Sequence, residues 1–158
     1  MRALSVALAL VAPLAAPGAA QAQAQFDSAT VRDCFDAAGP GEIAPICLGA
    51  ASDACQTQPG GSSTAGITAC IGAETQAWDD LLNVQYKARR SEMLAQGGGL
   101  NDKLLDAQRA WIAYRDAECS LETARWGEGT MRAIVGANCL MGMTAARAIE
   151  LRDKGARP

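Results

Sequence analysis

The positions of six cysteines constrain this chain more than any other feature of it. Cys34, Cys47, Cys55, Cys70, Cys119 and Cys139 form three successive intervals, each centred on a glycine cluster. The clusters are Gly39-Pro40-Gly41, Gly60-Gly61-Ser62-Ser63 and Gly127-Glu128-Gly129. Glycine and proline reverse the backbone. If each cluster turns the chain between antiparallel segments, both sulfurs of an interval stand at the same height and satisfy the short Cα separation of a disulfide. The spacing therefore favours sequential pairing, 34–47, 55–70 and 119–139, among the many pairings that six cysteines allow. Zinc is the other common use of clustered cysteine, but it needs Cys-x2-Cys pairs or histidine. The chain has neither, so no metal site is expected.

Disulfides persist in oxidising compartments, and the N-terminus carries a matching address. Met1-Arg2 is a short basic start, Ala3 to Ala16 is almost continuously apolar, and Pro17-Gly18 breaks the run. Ala20-Gln21-Ala22 and Ala22-Gln23-Ala24 each fit a small-x-small cleavage pattern. Residues 1–24 read as a signal peptide, cleaved after Ala22 or Ala24. The apolar run is shorter than the roughly 20 residues of a membrane span, and no cysteine lies near the cleavage site to carry a lipid anchor. The expectation is a secreted or periplasmic protein without a membrane span.

Helical periodicity dominates the rest. Ile71, Trp78, Leu81, Leu82, Tyr86 and Met93 predict a helix over 71–96 that stops at Gly97-Gly98-Gly99. Asn101 is a candidate N-cap for a second helix, from Asp102 to about Arg125. Its rows Leu104–Trp111, Leu105–Ile112–Cys119 and Ala107–Tyr114–Leu121 make a wide apolar face, as expected of a central helix. Arg109 is placed to pair with Asp106. A third helix runs from Met131 to about Asp153, with Thr130 as a candidate cap and Gly136 and Gly142 allowing close packing. Before Cys70, two short helices are expected near Ser28–Ala37 and Pro45–Gln56, with Gln58–Gly66 as a flexible connector. Strand-like alternation is absent. The class is all-α, an antiparallel helical bundle stapled by disulfides. It comprises a Cys-rich acidic segment over 25–70 and a three-helix core over 71–158. Trp78, Tyr86, Trp111 and Tyr114 are expected in that core.

Charge and composition narrow the function. Residues 25–70 hold Arg32 against Asp27, Asp33, Asp36, Glu42 and Asp53, whereas 71–158 carry balanced charge. An acidic chain without a basic cluster does not suit nucleic acid. The lack of histidine removes His-based triads and the usual general base near neutral pH. Asp79 and Asp80 diverge by about 100° on a helix and do not share a face. No enzyme and no cofactor are expected.

The run Ala107-Gln108-Arg109-Ala110-Trp111-Ile112-Ala113-Tyr114-Arg115-Asp116-Ala117-Glu118-Cys119 strongly resembles the signature of the LprI-like lysozyme-inhibitor domain family. Trp78, Asp79, Leu82, Asn83 and Tyr86 before it are similar to the family's Asp-x-x-Leu-Asn-x-x-Tyr. Cys139, Thr144, Arg147, Glu150 and Leu151 after it are similar to the closing Cys…Thr…Arg…Glu-Leu. The likeness covers about 70–153. One departure is Gly127-Glu128-Gly129-Thr130 in place of the usual Gly-Gly-Ser. The resemblance implies a small, helical, exported, Cys-containing protein, and its founding activity is lysozyme inhibition.

For the polar signature residues Asn83, Gln108, Arg109, Arg115 and Asp116, one reading is that they tie helices together; the other is a polar ligand patch. Two binding functions are open. The first is a lysozyme-inhibitor-like module that blocks the glycosidase cleft with the loop Gly60, Gly61, Ser62, Ser63 and Thr64. The second is an envelope scaffold with a non-lysozyme protein partner.

Overall fold

The computed structural model describes residues 26–155, so the expected signal peptide lies outside the described residues. Within them the chain forms α1 (Ser28–Ala37), α2 (Ala50–Gln56), α3 (Thr64–Gln96), α4 (Leu100–Arg125) and α5 (Met131–Gly155), with no strand. Three disulfides join Cys34 to Cys47, Cys55 to Cys70 and Cys119 to Cys139, each across one glycine-bearing turn.

Local chemistry sets the helix ends, and in three places it moves them from where periodicity alone puts them. α1 starts behind Asp27, whose side chain accepts from the Ala29 amide at 2.9 Å. α2 begins at Ala50 rather than Pro45, because Gly49 takes a left-handed conformation (φ 94°) and interrupts the helix there. α3 begins at Thr64 rather than Ile71. Ser63 Oγ accepts from the Gly66 amide at 3.0 Å and caps the earlier start. Gly66 therefore belongs to the first turn of α3, where its missing side chain matters: a Cβ would fall on the carbonyl oxygen of Gly60. The expected flexible connector contracts to a hydrogen-bonded turn. α4 is capped by Gly99 rather than Asn101, and Asn101 Oδ1 instead accepts from Arg90 Nε at 2.9 Å, tying α3 to α4.

α3 and α5 form the most extensive helix pair. Their interface buries Ile71, Trp78 and Leu82 from one side and Met141, Ala145, Ala148, Ile149 and Leu151 from the other. Because this pair fills the core, α4 is peripheral, not central. It fully buries only Gln108 and Cys119. Ile112, Tyr114 and Leu121 are 40%, 58% and 56% exposed, so the expected apolar face of α4 is largely solvated and Tyr114 is no core residue. α1 packs on α3, where Phe35 meets Trp78 edge-on at 6.1 Å between ring centroids. From α5, Arg152 lies over the Phe35 ring and donates to the Phe35 carbonyl oxygen, while Asp153 accepts from the Gly41 amide at 2.7 Å.

Glu74 is 1% exposed and lies on the apolar side of α3. A buried carboxylate is tolerable only with its hydrogen bonds filled, and here three donors fill them. Oε1 accepts from the Gly49 amide at 2.8 Å and Trp78 Nε1 at 3.2 Å, and Oε2 accepts from the Ser52 amide at 2.8 Å. The carboxylate thus supplies the cap that α2 lacks from its own Gly49.

Two predictions follow from the packing. Glu74→Ala leaves three donors without their acceptor and lowers stability by about 3 kcal/mol. Urea unfolding should show this as a lower midpoint at unchanged slope. The two helical glycines of α5 should respond oppositely to alanine. A Cβ at Gly136 would stand 2.5 Å from Thr123 Oγ1 of α4, whereas at Gly142 it meets nothing within 4 Å, so Gly142 serves no close contact. Gly142→Ala should raise stability by up to about 1 kcal/mol, and Gly136→Ala should lower it by about 1–3 kcal/mol through overpacking. Thermal melts of the two variants decide this.

Candidate binding site

The signature residues of α4 face α5 through one buried polar bond. Arg147 Nε donates to Gln108 Oε1 at 3.0 Å, and Arg147 Nη1 donates to Glu150 Oε2 at 2.7 Å. The guanidiniums of Arg115 and Arg147 both lie over the Trp111 ring, at 5.2 and 5.7 Å from its centroid. Arg115 directs Nε and Nη2 to Asp116 Oδ1 at 3.0 and 2.8 Å. Gln108, Trp111 and Arg147 therefore act as a helix tie.

The other signature positions divide. Trp78 and Leu82 are buried in the core. Tyr86 is half-buried, with its hydroxyl enclosed and unpartnered. Asn83 is exposed and donates to Asp79 Oδ2 on its own helix at 2.9 Å, a bond that ties no two helices together. Arg109 and Asp106 are both exposed and form no ion pair among the described residues. No group of side chains suited to a metal ion occurs among the described residues.

The segment Gly60–Thr64 is an ordered turn stapled at its base by Cys55–Cys70. The Gly61 amide donates to the Gln58 carbonyl at 2.9 Å, and Ser63 Oγ donates to the Gly60 carbonyl at 3.2 Å. Gly61 is buried against α2, where a Cβ would stand 2.6 Å from the Cys55 carbonyl oxygen. Gly60, Ser62 and Ser63 face solvent, and Thr64 opens α3. Ser63 is committed to capping, which leaves Ser62 as the outward hydroxyl.

Glu74, Arg89 and Arg152 matter to the fold but carry no weight in a reading by motif. Glu74 had a signal: an acid between Ile71 and Trp78 on the apolar stripe of α3 needs buried donors. Arg89 and Arg152 lie in ordinary mixed-charge sequence, and only tertiary contact reveals them. Arg89 is 7% exposed, with its guanidinium beside Gly155 of α5, and Arg152 reaches α1.

Comparison with known proteins identifies a family. A family model described as "Lysozyme inhibitor LprI" matches residues 55–151, more than half of the chain. The match begins at Cys55 and so takes in the stapled turn. An uncharacterised protein of Rhizobium meliloti is 30% identical over 130 residues, covering 74% of this chain and 94% of that protein. No solved structure matches. The matched family is an inhibitor domain and not a catalytic one. The three disulfides point to an extracellular or periplasmic setting, and no helix of the described residues is long and apolar enough to cross a membrane.

The network around Arg147 carries a pH dependence. Partial burial alone would raise the Glu150 carboxyl, but hydrogen bonds and charge from Lys154 and Arg147 outweigh it and hold the group below its ordinary value of 4.5. A carboxyl depressed in the folded state stabilises fully above its unfolded pKa, and the contribution is lost as pH falls through the folded value. Acid unfolding of Glu150→Gln should therefore lack a part of the wild-type loss below about pH 4.5. Above that pH the variant should be less stable than wild type by no more than about 1 kcal/mol, since the pair is partly solvated. Denaturant midpoints measured from neutral pH downwards test both statements.

Proposed function

The chain belongs to the LprI lysozyme-inhibitor family, and on that premise we propose that it is an exported protein-binding module that blocks the cleft of a lysozyme. The observation that carries this reading is the family match beginning at Cys55, which includes the turn held by Cys55–Cys70. Lysozyme cleaves with a carboxylic acid and a carboxylate that flank the glycosidic bond. A protein that fills the cleft and offers hydrogen-bond donors to that pair stops the reaction.

The Gly60–Thr64 turn has the properties such a contact requires. It is short, exposed at Gly60, Ser62 and Ser63, and already ordered by its hydrogen bonds and its staple. Ordering before contact reduces the entropy lost on binding. Asp33, Asp36 and Asp53 are exposed on α1 and α2, and their negative field attracts a basic lysozyme and raises the association rate. Binding without chemistry of its own is consistent with the absence of histidine and with all six cysteines in disulfides.

Titration of the exported chain into lysozyme-catalysed cell-wall lysis tests this. Inhibition should appear at about micromolar protein and weaken as salt screens the acidic segment. Ser62→Glu sets a like charge against the lysozyme carboxylates and should weaken inhibition about tenfold without altering the melting temperature. Absence of inhibition at low salt would overturn the reading in favour of a non-lysozyme envelope partner.

A further inference from the structure

We propose that a cavity between α3, α4 and α5, separate from the Gly60–Thr64 turn, binds a small zwitterion, an amino acid or dipeptide with free amino and carboxyl groups. The cavity measures about 320 Å³ and is lined by Thr68, Thr75 and Asp79 of α3, Arg115 of α4, and Leu140 and Thr144 of α5. Its volume lies at the small end of ligand pockets. Three residues of the family-like motifs, Asp79, Arg115 and Thr144, come from three different helices and meet here. Core packing does not require a carboxylate, a guanidinium and a hydroxyl to share one cavity.

Each has hydrogen-bonding capacity that the protein leaves unused. Asn83 occupies Oδ2 of Asp79, and Oδ1 stays open. Asp116 takes Nε and Nη2 of Arg115 on a single oxygen, and Nη1 stays open. Thr144 is fully buried, and its Oγ1 has no hydrogen-bond partner. An enclosed hydroxyl without a partner is costly, and rotation of the Thr144 side chain towards the cavity it lines would give that hydroxyl a polar ligand atom as partner. Thr68 and Thr75 donate their hydroxyl protons to the carbonyls of Thr64 and Ile71, at 2.7 and 2.8 Å, so towards a ligand they act as acceptors.

These groups select by charge. An ammonium suits Asp79 and the hydroxyl acceptors. A carboxylate suits the Arg115 guanidinium, which is held by Asp116 and lies over Trp111. A purely anionic ligand leaves Asp79 without a counter-charge, and a purely cationic one forgoes the open Nη1 of Arg115, whose charge Asp116 already balances in part. Leu140 adds an apolar wall that suits a short aliphatic side chain such as that of alanine.

Calorimetric titration of the exported chain with alanine, with alanyl-alanine, and with the N-acetylated and C-amidated forms of whichever binds tests the proposal. The zwitterion should bind saturably, and each blocked form should bind about tenfold more weakly or worse. Asp79→Asn should reduce zwitterion affinity to that of the N-acetylated form, and Arg115→Gln to that of the amide. Thr144→Val should weaken binding while raising the melting temperature, because it removes an unpartnered hydroxyl. Absence of saturable binding of either zwitterion at about 10 mM, or equal binding of the blocked forms, would overturn the proposal. The ligand series on the wild-type chain decides this even if a variant fails to fold.

Discussion

The fold hangs together through one acid that never meets water. Glu74 is buried because its carboxylate replaces a missing cap: the first turn of α2 starts from a glycine, which has no side chain to accept its amides. The same carboxylate holds the indole N–H of Trp78, so the largest core side chain is oriented by a polar bond as well as by contact. Trp78 then presents its ring to Phe35 of α1, and Phe35 lies beneath Arg152 of α5. A continuous line of contact runs from α2 through α3 and α1 to the last helix. Apolar burial supplies most of the stabilising free energy, but it is not directional, and the carboxylate fixes where α2 sits.

The disulfides have a different task. Each closes a short interval of chain and restricts the unfolded state, which the chain-entropy model values at about 3 kcal/mol for loops of this size. Two of them gather the small helices α1 and α2 around the start of α3, and the third joins α4 to α5. α4 needs its staple most, because it contributes little to the core. Its other ties to its neighbours include the Asn101–Arg90 and Gln108–Arg147 bonds, Arg147 over Trp111, and the close approach of Gly136 to Thr123.

Helix identity, the three turns and the cystine framework were legible because each has a local cause. Apolar periodicity marks α3 and α5, and paired cysteines around glycine need little knowledge of the rest. What was not legible depends on competition between helices. The apolar rows of α4 read as a central helix, but Ile71, Trp78, Ile149 and Leu151 already fill the space between α3 and α5, so Tyr114 and Leu121 are left outside. The start of α3 differs from its periodicity for another reason. Gly60, Gly61, Gly66 and Pro59 read as loop, whereas Gly66 is there because a helix passes too close to Gly60 for any side chain. Of the polar signature residues, Gln108 as a helix tie was readable in kind, but its partner Arg147, on another helix, was not. The meeting of Asp79, Arg115 and Thr144 in one cavity needed the tertiary fold.

The three tryptophans give this molecule three distinct optical environments. Trp78 is dry and hydrogen-bonded to a carboxylate, Trp111 stands beneath two guanidiniums, and Trp126 is half in water beside the Gly127–Gly129 turn. The first lies within the buried core, and Trp111 packs against that core from α4. Blue-shifted emission from this chain therefore reports the integrity of the Glu74-centred assembly, while the emission of Trp126 follows the far turn. Loosening of α4 alone would move Trp111 and Trp126 and leave Trp78 in place, whereas dissolution of the core would free all three.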